Sequence, residues 1–536
     1  MSNYDFIIVG AGSAGCVLAH RLSEDAGCRV LLLEAGKKNK HLYMKIPGAY
    51  GKLFRQPWDW GFYTEPQEAV DNRQIYLPRG KVLGGCSTIN AMAYVRGNWA
   101  DYDHWSELGN SGWAARDVLP YFIRSEDHEA YTDLDPAYHG MGGQMRVAPA
   151  KQYRTPFAEA FVAAAQNLGL PFNKDYNGSQ QTGVGYFDYT IRDGKRESTA
   201  TAFLRPALKR KNLDTKTGAQ VIKLEIDGQR VTGLTYVQNG KTHQVSAQEV
   251  ILSAGAFQSP QLLLLSGIGP AADLADVGIA CQHDLPGVGK NLQDHLFFPV
   301  SMRVSRGKAL NHYLRWDQEL LATWRWWRKK KGPLTIGPLE AFAFYHHESP
   351  STPPDTQFHF CPVLMGPYGY DQYDDSTLSP HNGCTIWPTL LQPESHGFLK
   401  LRSNDPLAAP LIQPRFLTEA EDRKILIEGG KKAWEVFQQP EFAELRTDDT
   451  FPSTQPASDK DWLAHIKKTV ETVYHPVGTC KMGRGEEAVV DAHLRVHGLD
   501  GLRVVDASIM PTIVRGNTNA PVIMIAERAA DLIKRG

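Results

Sequence analysis

The run Tyr4-Asp5-Phe6-Ile7-Ile8-Val9-Gly10-Ala11-Gly12-Ser13-Ala14-Gly15 decides the fold of this 536-residue chain. Its first six residues are mainly apolar and stop at Gly10, the pattern of a buried parallel strand. Cys16-Val17-Leu18-Ala19-His20-Arg21-Leu22 then places Val17, Leu18 and Leu22 on one helical face. Arg29-Val30-Leu31-Leu32-Leu33-Glu34 reads as a second buried strand that ends in an acid. Strand, glycine-rich turn, helix, strand and acid form a complete dinucleotide-binding unit. Gly10 permits the tight turn, Gly12 removes a side chain that would obstruct a pyrophosphate, and Gly15 lets helix and strand approach. Ser13 and Ala14 open the helix, whose free amides and dipole favour phosphate. Glu34, with Ala35 after it, is suited to the adenosine ribose hydroxyls, and its charge repels a 2′-phosphate, so NADP is disfavoured. The unit alone does not separate NAD from FAD.

Composition narrows the function classes. Charge is nearly balanced, 58 Lys+Arg against 59 Asp+Glu, and 42% of residues are hydrophobic, which argues against disorder and against a field-driven polyanion binder. The 48 Gly and 33 Pro have no triplet period, which excludes a collagen-like chain. The seven cysteines, at 16, 28, 86, 281, 361, 384 and 480, are scattered and lack CxxC spacing, so neither a disulfide framework nor a metal site is expected. Met1-Ser2-Asn3 passes straight into the first strand without a signal-peptide pattern. No apolar run reaches the roughly 18 residues of a spanning helix. The expected location is cytoplasmic, with peripheral membrane contact left open.

Three further segments carry a family resemblance. Pro78-Arg79-Gly80-Lys81-Val82-Leu83-Gly84-Gly85-Cys86-Ser87-Thr88-Ile89-Asn90-Ala91-Met92 resembles the first signature of the glucose-methanol-choline oxidoreductases, and Gly255-Ala256-Phe257-Gln258-Ser259-Pro260-Gln261 resembles their second. Tyr474-His475-Pro476-Val477-Gly478, Asp506-Ala507-Ser508 and Asn517-Thr518-Asn519-Ala520-Pro521 resemble the family's catalytic end, with choline and alcohol dehydrogenases as the nearest type. The resemblance spans the chain and implies FAD. It implies that Arg79, Gly80, Gly84, Gly85, Ser87, Asn90, Ala91 and Met92 run beside the flavin. It also implies that Ser253, Ala254 and Gly255 close the nucleotide site near Val221. Ile89 stands where some members carry a flavin-linking histidine, so non-covalent FAD is expected.

Alcohol oxidation needs a base for the hydroxyl proton and an acceptor for the hydride, which flavin N5 supplies. The resemblance assigns the base to His475 and implies that Asn517, unable to take a proton, orients the substrate oxygen. Asn519 is expected as a helix cap and flavin contact, with Asp506 and Ala507 beside it. Cys86 and Cys480 lie near these loops, yet the chemistry needs no nucleophile.

Dinucleotide-binding pieces at both ends and in the middle imply an α/β chain, α+β overall. A Rossmann-like FAD-binding domain of 1–149, 215–295 and 475–536 is interleaved with a substrate-binding domain of 150–214 and 296–474, built on a large antiparallel sheet with helices. Residues 356–363 and 384–390 are its best strands, and Asp227-Gly228 and Asn239-Gly240 read as hairpin turns. Tyr474, Trp387, and His359 or Phe360 are the candidates for lining the substrate pocket. With no cation cage in view, a neutral primary alcohol is the expected substrate. The acceptor is open between a quinone, a carrier protein and O2. A redox-neutral lyase of the hydroxynitrile lyase type, or an oxidase, is the alternative. Trp324-Arg325-Trp326-Trp327-Arg328-Lys329-Lys330-Lys331 is expected to form an amphipathic helix ending at Gly332-Pro333, aromatics inward and charges solvated. Contact with an anionic membrane is its second reading, and no nucleic acid is expected.

Overall fold

The computed structural model describes residues 4–151, 153–364 and 381–535. Residues 1–3, on which the reading of the N-terminus partly rests, lie outside them. The opening run forms β1 (Tyr4–Val9), α1 (Ser13–Leu22) and β2 (Val30–Glu34). β2 is buried along its whole length, as a continuous apolar strand requires. β1 pairs in parallel with β2 on one side, Phe6 opposite Val30 and Val9 opposite Leu33, and with residues 247–252 on the other. Leu213–Thr217 joins in parallel outside β2, and Leu502–Val504 outside Lys241–Leu252. Five parallel strands from three distant parts of the chain therefore make one sheet.

Lys241–Leu252 is a shared strand. Its first half pairs antiparallel with Arg230–Gln238, which pairs with Ala219–Asp227. Both expected hairpin turns are present. Gly228 has φ 60°, and Asn239 and Gly240 have φ 51° and 72°, the left-handed pair that a two-residue turn matching strand twist demands.

The second sheet has eight strands, all antiparallel to their neighbours, in the order Arg446–Phe451, Val300–Val304, Gly383–Leu390, Thr356–Cys361, Ala341–Tyr345 and Gly183–Tyr186. Leu296–Phe297 pairs with the far end of Gly383–Leu390 and with Glu471–Thr472. One face carries Phe358, Phe360 and Ile386 into a core shared with the helices Pro156–Asn167 and Ala420–Gln438. Phe360 stacks on Phe161 there, centroids 4.8 Å apart. Alternation sends Phe297, Phe342 and Trp387 to the opposite face, towards the first sheet. Phe360 is thus a core residue and does not line the cavity.

The basic aromatic segment also differs from expectation. The helix is Trp316–Lys329, and Lys330 follows in the left-handed conformation just before Gly332-Pro333, as the sequence predicts. Its aromatics do not all point inward. Trp326 is buried, but Trp316, Trp324 and Trp327 are exposed. Among the described residues no helix is long and apolar enough to cross a membrane.

Candidate active site

A long cavity lies between the two sheets, and the opening motif forms one end of it. Gly10 sits at φ 97°, and a Cβ there would stand 2.5 Å from the Ser253 carbonyl oxygen, so β1 and Lys241–Leu252 end in contact only because the residue is glycine. A Cβ on Gly15 would lie 1.9 Å from the Gly10 oxygen, which is the helix-to-strand approach the motif requires. A Cβ on Gly12 would meet nothing closer than 3.9 Å, and Gly12 lines the cavity, leaving room for a phosphate at the N-terminus of α1. Glu34 lines the same end. Its two carboxylate oxygens accept from the Ala11 and Gly36 amides, each at 2.8 Å, and burial pushes the carboxyl up to about 7.

The middle of the cavity is lined by Arg79, Gly80, Gly85, Asn90, Ala91 and Met92 on one side and by Ser253, Ala254, Gly255, Asp506 and Ala507 on another; Ala35 and Val221 lie towards the Glu34 end. Gly84 and Ser87 do not line it. Gly84 donates from its amide to Ala11 O at 2.7 Å, and buried Ser87 bonds to Gly84 O and Thr199, so both hold the loop against the opening motif. Asp506 accepts from the Gly255 amide and from Ser259, tying the second signature to the C-terminal segment. Asn519 is corrected from helix cap: Thr518 occupies the cap position, while Asn519 is the first residue of Asn519–Lys534 and accepts a 2.7 Å bond from Ser13. The N-termini of α1 and of the C-terminal helix are thereby joined at the cavity wall.

His475 and Asn517 meet at the far end. Tyr474, at φ 65°, holds a backbone conformation unusual for a bulky residue. It is pinned by its amide bond to Thr472 Oγ1, 2.7 Å, and by Arg79, which donates to its carbonyl at 2.5 Å. The next amide, that of His475, donates to Asp294 Oδ1 at 2.8 Å. This strained, doubly anchored turn aims the imidazole into the cavity.

Hydrogen bonds assign the tautomer of His475. His295 Nε2 is 3.0 Å from the Leu391 carbonyl, which only accepts, so that nitrogen carries the hydrogen. Burial pushes His295 down to about 3, so its ring is neutral and its Nδ1 is an acceptor. That atom lies 3.0 Å from His475 Nδ1, which must donate. The lone pair of His475 is left on Nε2, 3.3 Å from Asn517 Nδ2. Burial, with His295, His359 and Arg79 adding to it, holds His475 well below the usual imidazole range, so it stands as a neutral base.

Trp387 Nε1 is buried without a hydrogen-bond partner, and Asn517 Oδ1 has none within bonding distance, facing His359. Both residues line the cavity beside His475 Nε2, whose lone pair accepts from Asn517 Nδ2, and together they mark the place for a polar ligand. Tyr474 lines it too, whereas His359 stands behind. Its Nδ1 bonds to Thr389 Oγ1 at 3.0 Å, and burial pushes it down to about 3, with Asn517 opposing that shift. The sequence reading did not single out Gln293, Asp294 and His295. Their signal is the stretch Asn291 to His295, polar except for Leu292, that precedes the second sheet and is almost wholly buried. Ile89, buried against Met44, Leu53 and Val82, lines the cavity and offers no nucleophile. Cys480 is buried, which pushes its thiol well up, and it is no nucleophile either.

A glycine turn with space at a helix N-terminus, a buried acid at the same end and a neutral imidazole at the other end of one cavity are the layout of a dinucleotide-dependent oxidoreductase. The GMC oxidoreductase family model matches residues 4–297, and its C-terminal counterpart matches 393–526. The chain is 41% identical to an alcohol dehydrogenase [acceptor] of Pseudomonas putida, over 99% of this chain and 96% of that one. It is 42% identical to the mitochondrial choline dehydrogenase of Homo sapiens, over 99% and 90%. A solved structure of Aspergillus oryzae formate oxidase, from work on its FAD modification, superposes with a TM-score of 0.93 at 28% identity, covering 100% of this chain and 98% of that one. The chain belongs to the GMC oxidoreductase family. Its cofactor is FAD, and it is an oxidoreductase acting on CH–OH donors.

Proposed function

We propose that the protein oxidises a neutral primary alcohol to the aldehyde, with His475 Nε2 taking the hydroxyl proton and Asn517 orienting the substrate oxygen. The observation that carries this is the hydrogen-bond chain from Leu391 through His295 to His475, which leaves the lone pair on the cavity-facing nitrogen. FAD, held non-covalently, supplies the hydride acceptor at N5. The cofactor is held along the wall from Gly10, Gly12, Ser13, Ala14 and Glu34 through Gly85, Asn90 and Asp506 to Asn519, with Gly15, Gly84 and Ser87 in support. The division into a cofactor unit of 1–149, 215–295 and 475–536 and a substrate unit of 150–214 and 296–474 is part of the same reading.

A neutral substrate is favoured by the lining. Phe297, Leu339, Val473, Trp387 and Tyr474 surround the catalytic end. Among the described residues the acids on the cavity wall are Glu34 and Asp506, and both are engaged with backbone amides of the cofactor loops. A quaternary ammonium would find aromatic faces but, among the described residues, no carboxylate at the catalytic end.

Anaerobic mixing of the holoenzyme with a panel of alcohols tests the reading. Bleaching of the flavin by a neutral primary alcohol is expected, and His475→Ala should slow it about 10²- to 10⁴-fold with flavin still bound. Bleaching by choline but by no neutral alcohol would overturn the substrate class. A flavin that stays oxidised during turnover would identify the lyase. Readmission of oxygen then separates an oxidase from a dehydrogenase that needs a quinone or carrier protein.

A further inference from the structure

The helix Trp316–Lys329 presents an unusual surface. Trp316 is 77% exposed, Leu320 63%, Trp324 53% and Trp327 69%. At about 100° per residue these four side chains fall within a stripe about 80° wide along one side of the helix. The opposite side is anchored. Trp326 packs on Ile46 and Ala49 and donates from Nε1 to Gly194 O at 2.7 Å, and Glu319 pairs with Lys52. The exposed tryptophans are therefore not an unfolded end of the chain; they are held outward by a packed inner face. Isolated exposed apolar residues are ordinary on a protein surface, but an ordered row of them is not.

The charge around this row is mainly positive, since the two acids of the helix, Asp317 and Glu319, are paired with Arg315 and Lys52. Arg325, Arg328, Lys329 and Lys331 are exposed and make no ion pair among the described residues. Lys330 closes the helix by donating from Nζ to the Trp326 and Trp327 carbonyls, and partial burial lowers its pKa, with Lys195 adding to the shift. Tyr43 belongs to the same small cluster as Trp326, and its chain neighbours Lys40, Leu42 and Lys45 are exposed. In a chain of formal net charge −1, this is a local concentration of cations beside indole rings.

We propose that this face docks on the surface of an anionic lipid bilayer, with Trp316, Leu320, Trp324 and Trp327 entering the headgroup boundary and the flanking cations meeting lipid phosphates. Indole combines an apolar ring with one N–H donor, which suits that boundary, and Lys and Arg stems reach from it to charge. A second copy of the chain is a poor occupant, because self-pairing would bring like charges together. The docking reading stands independently of the alcohol chemistry but has a consequence for it. The segment that carries the helix through Ile46 and Ala49 also supplies Tyr50 and Phe54 to the cavity wall, so a reactant dissolved in the bilayer is met beside the site.

Flotation of the full-length holoenzyme with vesicles tests the proposal. Co-flotation is expected with phosphatidylcholine vesicles containing phosphatidylglycerol, and not with phosphatidylcholine alone. Trp316→Ser, Trp324→Ser and Trp327→Ser combined should abolish it. Arg325→Gln, Arg328→Gln, Lys329→Gln and Lys331→Gln should each weaken partition about five-fold and together remove its salt dependence. All variants should retain flavin absorbance and bleaching by alcohol in solution, which shows that they fold. Failure of the wild type to float with anionic vesicles, or flotation unchanged in the serine variant, overturns the proposal. So does a dimer in lipid-free solution that the serine variant dissociates. If flotation holds while no alcohol bleaches the flavin of any form, the functional reading fails and the docking reading stands.

Discussion

At the residue scale the site depends on which nitrogen of His475 holds its proton. His295 sets this by offering an acceptor to Nδ1, and its own acceptor capacity follows from the Leu391 carbonyl. His295→Phe removes that acceptor and frees the imidazole to take either tautomer. The expected result is a fall in kcat of about 10- to 100-fold, a fraction of the full general-base effect, with KM little changed. The pH profile carries a second signature. Because burial and the neighbouring His295, His359 and Arg79 hold His475 well below 6.5, kcat/KM of the wild type should be level from neutral pH upward and fall only well below that value. Removing His295 takes away part of that downward push, so the acid limb should move to higher pH. An acid limb that stays in place with an unchanged kcat would show that His295 does not position the base.

At the element scale the parts are held by close approach and by buried charge. Gly15→Ala would place a methyl group 1.9 Å from the Gly10 oxygen and push α1 off β1. The expected loss is about 1 to 3 kcal/mol of stability together with weaker FAD retention, read by thermal unfolding and by the absorbance of the purified protein. The strand Glu126–His128 anchors a second arrangement. Glu126 pairs with Arg96 at 2.9 Å, both side chains fully buried, and with His139 at 3.1 Å, while His139 also meets Asp175 at 3.0 Å. Burial opposes charge on His139, but Asp175 and Glu126 overcome it and hold the imidazole up to about 9. A histidine raised above its unfolded value of 6.5 contributes fully below 6.5 and loses its contribution as pH rises through 9. His139→Gln should therefore cost about 3 kcal/mol at pH 6, with the gap to wild type closing as pH passes 9. A gap independent of pH would place the effect in packing rather than charge.

At the scale of the whole molecule, the two ends of the chain close on each other. Arg21 of α1 makes two 2.9 Å bonds to Glu527 of the C-terminal helix, and Arg124 reaches the same carboxylate at 2.6 Å. The Ser13 to Asn519 bond repeats this closure at the cavity wall. Glu527→Leu leaves two arginines without their shared buried partner, and about 3 kcal/mol of destabilisation is expected. Flavin should dissociate faster as well, because the helix N-termini on either side of the cavity separate. Thermal unfolding and the rise of free-flavin fluorescence measure the two effects.

Local chemistry made much of this protein legible in its sequence. Gly10, Gly12 and Gly15 need only their neighbours to define a turn, a phosphate seat and a helix approach, and the alternating and continuous apolar runs marked β1, β2, Thr356–Cys361 and Gly383–Leu390. His475 and Asn517 stood in short motifs whose spacing carries over. Other features depend on partners far along the chain. His295 acquires its role from a residue 180 positions away, and Phe360 and Trp387 part company because the pleat sends them to opposite faces of one sheet. The helix Trp316–Lys329 is the sharpest case. Tryptophans occur on both of its sides, so periodicity could not choose between them, and the inner side was decided by Ile46, Ala49 and the Gly194 carbonyl that receive Trp326. Sequence alone determined the glycine turn and the strand-helix-strand unit at the start of the chain, because those rest on backbone geometry within a few residues, and its motifs pointed to His475 through the family resemblance. Tertiary structure decided the tautomer of the base, the lining of the pocket and the outward row of indoles, because each depends on atoms that only folding brings within bonding distance.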